Sequence, residues 1–247
     1  MPHSEILWWN FNLPSHQQTL ICPASLLHLS DKDRTLIGSW DSDYDRITWD
    51  EVKEIIGMCY SSASGPVQHQ PELAANRIEA FQRVPSDLRR YRQYIHSLGK
   101  THGSVLNYIQ NNLLQWPTLE PKGPPFTCPT DLKILYNDWP YGLDERIVHL
   151  VVWTKFELDE DKKTGDLTDA ARMQIQNYVD YIFGCRMDSR NVAWFKNWTR
   201  IKSIPAVEHF HVLLFDPDMD FVSQITGGHV PMCEQLRHNM TESIKDF

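Results

Sequence analysis

The residues Glu208-His209-Phe210-His211 lie in an apolar run that reads as a β-strand, and they carry the sharpest chemical signal in the chain. Side chains two apart on a strand share a face, so His209 and His211 stand side by side while Glu208 and Phe210 point the other way. Such a pair can supply two ligands of an open metal site, with His149 as the natural third. It can equally move protons or contact substrate without metal, or be hydrogen-bonded core. Asn137-Asp138-Trp139-Pro140-Tyr141-Gly142 places an acid and two aromatic rings in one turn before a strand, a set able to pair with a cation and stack on it. Asp138 could also be a simple turn-former. Trp194-Phe195-Lys196-Asn197-Trp198-Thr199-Arg200 interleaves rings with cations and amides, as sites for single-stranded nucleic acid or bases do; the spacing of Trp194, Trp198 and Ile201 also suits an ordinary apolar helix face. Ser104 and Ser203 are the hydroxyl nucleophiles to consider, but no GxSxG elbow or GxxxxGK loop is present, and Ser104 reads as a helix cap.

The elements that must position these groups divide the 247 residues into two unlike parts of a single domain, 1–247. Residues 1–47 show no sustained periodicity and read as an irregular arm. Residues 48–116 read as helical. Thr48-Trp49-Asp50-Glu51 is a capping box opening a helix through Val52, Ile55, Ile56 and Cys59. A second helix starts near Pro71, a third is capped by Ser86 and runs through Leu88, Tyr91, Ile95 and Leu98 to Gly99, and a fourth is capped by Ser104. Residues 117–130 hold five prolines and form a connection without regular structure. Residues 131–247 read as mixed, with strands at 147–156 and 207–215, a helix over 168–183 and a helical tail from about 231. The fold class that follows is α/β: a helical N-terminal half packed on a mixed C-terminal half with a small central sheet.

Composition is that of a folded soluble protein, with 41% hydrophobic and 23% charged residues, and no run of 18 apolar residues occurs. Without a signal-like start, and with five widely spaced cysteines lacking any CxxC pair, a reducing, cytoplasmic location is expected. The net charge of −8 conceals two islands of +4, at 77–102 and 186–202. Arginines 89, 90 and 92 fall largely off the apolar stripe of their helix, so a polyanion could be held on one face. An ordinary solvated face is the plainer account.

Arg83-x-Pro85 followed by Tyr91 and Tyr94, then His102-Gly103-Ser104, Leu114-x-Trp116, NDWPYG (137–142), HLVVWTK (149–155), VAWFKNW (192–198) and EHFHVLL (208–214) together resemble the fungal family often called N-acetylglucosamine-induced proteins. A subset of that family resembles arginine-containing cyclodipeptide synthases, which join arginine to a second amino acid from aminoacyl-tRNAs. That resemblance implies two partners, arginyl-tRNA and a second aminoacyl-tRNA, and neither a cofactor nor a metal. On this reading Arg83, Arg89, Arg90, Arg92, Lys196 and Arg200 hold tRNA. His209 and His211 move protons, Lys155 or Asn197 stabilises the oxyanion, and Asp138 or Glu208 receives the guanidinium. Trp139, Tyr141, His149, Trp153, Trp194 and Ser203 line the substrate site. The rival readings are a His-x-His metal enzyme acting on a small polar metabolite such as an amino sugar, and a nutrient-induced binding protein without turnover.

Overall fold

The computed structural model describes residues 6–57, 77–197 and 207–237. Its centre is a four-stranded antiparallel sheet in the order β1-β2-β4-β3, formed by β1 (Leu132–Tyr136), β2 (Ile147–Thr154), β3 (Val192–Phe195) and β4 (Glu208–Phe215). The two long strands expected from their β-branched and aromatic content are the central pair, paired along their whole length. The edge strands β1 and β3 are shorter, and their periodicity is too brief to stand out in the sequence.

Strand alternation sorts the side chains into two layers. Leu150 and Val152 of β2 and Phe210, Val212 and Leu214 of β4 enter one core, closed by Ala171, Ile175, Val179 and Phe183 from the helical segment after Thr168 and by Phe221 and Val222. Val151 and Trp153 face the opposite side, where they meet Ile109, Leu114 and Trp116 of the helical half. The register pairs Val151 with His211 and Trp153 with His209, so both histidines share this second face.

On the helical side, α1 (Asp31–Ile37) is a helix inside the arm read as irregular, capped by Ser30, whose hydroxyl accepts from the Asp33 amide. Helix α2 (Trp49–Ile56) has the expected capping box. Helix α3 (Pro85–Thr101) starts two residues earlier than expected, with Val84 at its N-cap and Pro85 in its first turn, and passes through Gly99. The Ser86 amide donates to Asp41 Oδ1 of the arm instead of Ser86 capping the helix. Ser104 does cap α4 (Val105–Tyr108), which continues as a π-helix to Leu114. The helix expected near Pro71 lies outside the described residues. Helix α5 (Asp169–Val179) widens into a π-turn ending at Gly184, α6 (Met219–Thr226) ends on Gly227 at φ 64°, and residues 232–237 are helical. The helical half, the central sheet and its packing agree with the α/β architecture expected from the sequence. No helix among the described residues is long and apolar enough to cross a membrane.

Gly142 locks the arm to the site turn. A Cβ there would lie 2.4 Å from Cε1 of Tyr44, whose hydroxyl donates to the Gln82 carbonyl. Gly142→Ala is expected to lower unfolding free energy by roughly 1–3 kcal/mol, the usual cost of forcing atoms into filled space, as measured by chemical denaturation. An unchanged midpoint would show that Tyr44 moves aside freely.

Candidate functional site

The cavity that matters lies between the second face of the sheet and the helical half. Tyr91, Tyr94 and Ile95 of α3, Tyr108, Ile109 and Leu113 from the following helix, and Val151 and Trp153 of β2 make its apolar wall. Its polar groups come from the turn after β1 (Asn137, Asp138, Tyr141), from Asn197 after β3, from His209 and His211 of β4, and from Arg83.

The histidines form an ordered chain. His149 Nε2 lies 3.0 Å from His211 Nδ1 and 3.2 Å from Asn137 Nδ2, and His211 Nε2 lies 3.1 Å from Asn197 Nδ2. The Asn137 carbonyl oxygen accepts from the Trp139 amide, so its amino group is the one that faces His149 and donates to Nε2. His149 Nε2 is therefore an acceptor, and His211 must present a protonated Nδ1 to it, leaving His211 Nε2 to accept from Asn197. These hydrogen positions follow from satisfying the network. The proton on His149 Nδ1 then has no hydrogen-bond partner.

Both rings are held neutral. Burial pushes His149 down to about 3, helped by the nearby Arg83 charge, and burial and the adjacent His149, His209 and Arg83 hold His211 far below the ordinary imidazole range. Phe195 stacks on His211, with ring centres 4.8 Å apart. His209 is arranged differently. Its Nδ1 lies 2.8 Å from the Val207 carbonyl, which can only accept, so Nδ1 carries a proton and, in the neutral ring, Nε2 is the acceptor nitrogen. Trp153 packs beside it at 4.7 Å.

Asp138 is 15% exposed at its side chain, and its Oδ1 accepts from the Met232 amide at 2.9 Å, with His229 Nε2 at 3.7 Å. Burial raises its carboxyl to about 6, against the opposing pull of the Met232 hydrogen bond. Arg83 anchors Nε on the Trp139 carbonyl at 2.8 Å and lays its guanidinium 4.0 Å from the centre of the Tyr91 ring.

Of the residues proposed from sequence, the structure gathers Asp138, Trp139, Tyr141, Trp153, Asn197, His209 and His211 at this cavity, with His149 behind His211. Four expectations need correction. Glu208 and Trp194 project to the other face, because β-strand alternation opposes them to His209 and Phe195; the Trp194 indole donates to Gln176. Lys196 also falls on that side, 4% exposed and paired with Glu160 and Glu208, so it is buried structure and not a phosphate contact. Lys155 lies against Trp116, with its Nζ 5.3 Å from the ring centre, and does not line the cavity.

The arginines are the fourth. Arg83 faces the cavity itself. Arg89 is 4% exposed and donates to the Phe11 carbonyl, since the arm packs across the flank of α3 that the helix pattern alone leaves in solvent. Arg90 pairs with Asp87 at 2.6 Å and Arg92 with Asp33. Ser203 and Arg200 lie outside the described residues. The residues missed were Tyr108, Asn137 and His229. Asn137 stands in the motif already singled out, whereas nothing local marks Tyr108 or His229.

The three histidines do not converge as metal ligands, because His149 and His211 turn their nitrogens toward each other and toward amides. No group of three or more His, Cys, Asp or Glu suited to a metal ion occurs among the described residues.

Residues 68–215 match the family described as "Protein of unknown function (DUF3605)". N-acetylglucosamine-induced protein 1 of Candida albicans is 25% identical over 205 residues, covering 74% of each chain. Uncharacterized protein YPL067C of Saccharomyces cerevisiae is 27% identical over 176 residues, covering 68% of this chain and 79% of its own. A solved structure titled "Crystal Structure of HTC1" superposes with a TM-score of 0.55 at 23% identity over 73% of this chain and 96% of its own, a likeness of fold. With a family match that takes in α3, the site turn and the histidine strand, this chain belongs to the DUF3605 family, and its distant fungal homologues include an N-acetylglucosamine-induced protein.

Proposed function

We propose that the protein is an aminoacyl-tRNA-dependent cyclodipeptide synthase that joins arginine to a second amino acid. The observation that carries this reading is Asp138, a buried carboxylate in the wall of an otherwise aromatic cavity that also presents Arg83, Asn197 and His209. A carboxylate whose burial raises it to about 6 gains from a cationic ligand, and a guanidinium offers two parallel donors to it and a flat face to Tyr94, Tyr108 or Trp139.

The amine of one aminoacyl group attacks the ester carbonyl of the other. His209 Nε2 takes the proton lost from the attacking amine, the ester C–O bond breaks, and the tRNA hydroxyl leaves with a proton. A second attack of the same kind closes the ring and frees the second tRNA. Arg83 is the donor for the oxyanion at each stage, the Asn197 amino hydrogens being directed at His211 Nε2 and the Tyr141 hydroxyl. The ester is already activated, so the sequence of steps needs no nucleotide triphosphate. His211 and His149, neutral and mutually bonded, position Asn197 and not the proton.

Mass spectrometry of small molecules from cells expressing the protein tests this. The expected result is a new species with the mass of arginine plus a second amino acid minus two waters, absent when Asp138 is replaced by Asn. Folded, soluble protein yielding no such species overturns the reading.

A further inference from the structure

The hydrogen-bonded chain behind the aromatic cavity fixes which atom of Asn197 is left over. Asn137 accepts the Trp139 amide on its carbonyl oxygen and so turns its amino group on His149 Nε2. His211 presents a protonated Nδ1 to that same nitrogen and keeps Nε2 as an acceptor. Asn197 meets that acceptor with Nδ2 at 3.1 Å, and the same amino group reaches the Tyr141 hydroxyl at 3.4 Å. The amino end of the Asn197 carboxamide is thereby committed, and its orientation is set from Asn137 through two histidines.

Asn197 is 5% exposed and lines the cavity, yet its Oδ1 has no hydrogen-bond partner. A buried carbonyl oxygen without a donor is unfavourable, so a ligand that brings one gains by it. Trp139 and Trp153 also leave indole N–H groups without partners in residues of this wall, but an indole can only donate. Asn197 Oδ1 can only accept.

We infer that Asn197 Oδ1 receives an N–H of the substrate's α-amino group, so that the cavity selects aminoacyl esters whose α-amine is free. The identity of the ligand rests on the proposed function, which this assignment deepens. An arginyl ester carries two groups with N–H donors. The guanidinium is matched to Asp138, because its parallel donors fit the two oxygens of a carboxylate and not a single carbonyl oxygen. The α-amine is left for Asn197. An acceptor in this place also suits the attack. An amine that gives one N–H to Oδ1 keeps its lone pair for the ester carbonyl, whereas a donor would bind that lone pair. The chain from Asn137 through His149 and His211 keeps the acceptor end of Asn197 available and not the donor end.

Isothermal titration of the full chain compares arginine methyl ester with methyl 5-guanidinopentanoate, the same ester with hydrogen in place of the α-amine. The parent is expected to bind the amine-bearing ester about tenfold or more tightly, the effect of one charge-assisted hydrogen bond. In Asn197→Leu, similar in size but without the carbonyl, the two esters should bind within about threefold of each other. Asn197→Ala carries the same expectation where leucine does not fit, and thermal melting shows which variants are folded. Equal binding of the two esters by the parent, or a full preference kept by a folded variant, overturns the assignment. If arginine methyl ester binds and Asp138→Asn weakens it while the amine makes no difference, the inference falls and the arginine cavity stands. Binding of neither ester overturns both.

Discussion

His209→Gln is expected to lower formation of the cyclic product by roughly 10²- to 10⁴-fold, the usual contribution of a positioned general base. The reason is tautomeric. With Nδ1 committed to the Val207 carbonyl, Nε2 is the acceptor nitrogen of this ring, and the glutamine amide has no basic atom to replace it. His211→Asn should cost less, because His211 is held neutral and supports Asn197 without taking the proton. The check is product yield per soluble enzyme for both variants, with circular dichroism to confirm folding. Turnover of His209→Gln within about threefold of the parent, or a greater loss in His211→Asn, would sink the assignment of the base. The pH profile gives a second readout. His149 and His211 stay neutral throughout the range from pH 5 to 8, so neither can produce a rate limb there.

Asp138→Asn should move stability and function in opposite directions. The carboxyl is raised to about 6 in the folded protein by burial. A group raised in this way contributes stability that is complete below its unfolded value near 3.8 and is lost as pH rises through about 6. The ionised acid therefore costs the folded protein at pH 7. The shift corresponds to roughly 3 kcal/mol, which Asn does not carry while its oxygen still accepts from the Met232 amide. The gap in unfolding free energy between variant and parent should thus widen from pH 4 to pH 7.

Tyr94, Tyr108 and Cys233 beside Asp138 do not titrate in that window, whereas His229, which faces Asp138, is lowered from 6.5 within it, so variant and parent are compared with each other at each pH. Burial raises Tyr94 and Tyr108 and lifts Cys233 to about 11, so all three are neutral, and burial lowers His229. Binding of an arginine-bearing ligand should fall by roughly 30-fold or more, as expected for truncating one side of a buried charge pair. In the parent that binding should weaken below pH 6, and in the variant it should be flat. Urea denaturation across pH and titration with arginine methyl ester measure the two effects. A variant that binds the ester as the parent does would remove Asp138 from the cation site.

The local signals were strong where short-range physics decides the outcome. The capping box at Thr48, the Ser104 cap and the two long strands appear where period and composition put them, because each depends on neighbours within a few residues. The period of a strand also placed His209 and His211 side by side. The same period, applied to β3, would have turned Trp194 and Lys196 away from Phe195 and Asn197. That strand is only four residues long, too short for its alternation to be read apart from a helical pattern.

The arginines of α3 show the other limit. Arg89 is polar and lies off the apolar stripe, yet the arm folds over it and supplies Phe11 as its acceptor. Arg92 finds its acid at Asp33, 59 residues away in sequence. A charge count along the chain cannot anticipate such pairings, because an ion pair depends on distance in space. His149 and His211 likewise stand 62 residues apart and become one hydrogen-bonded unit only through the β2–β4 register.

From its sequence alone this protein is an α/β chain with a histidine strand, an acidic aromatic turn and a helical half, since periodicity, caps and composition are properties of neighbouring residues. Tertiary structure alone decided which faces meet. It turned Glu208 and Lys196 into a buried ion pair behind the sheet and brought Arg83, Asp138 and His209 to one cavity, because burial and charge pairing are settled by contacts between segments far apart in the chain.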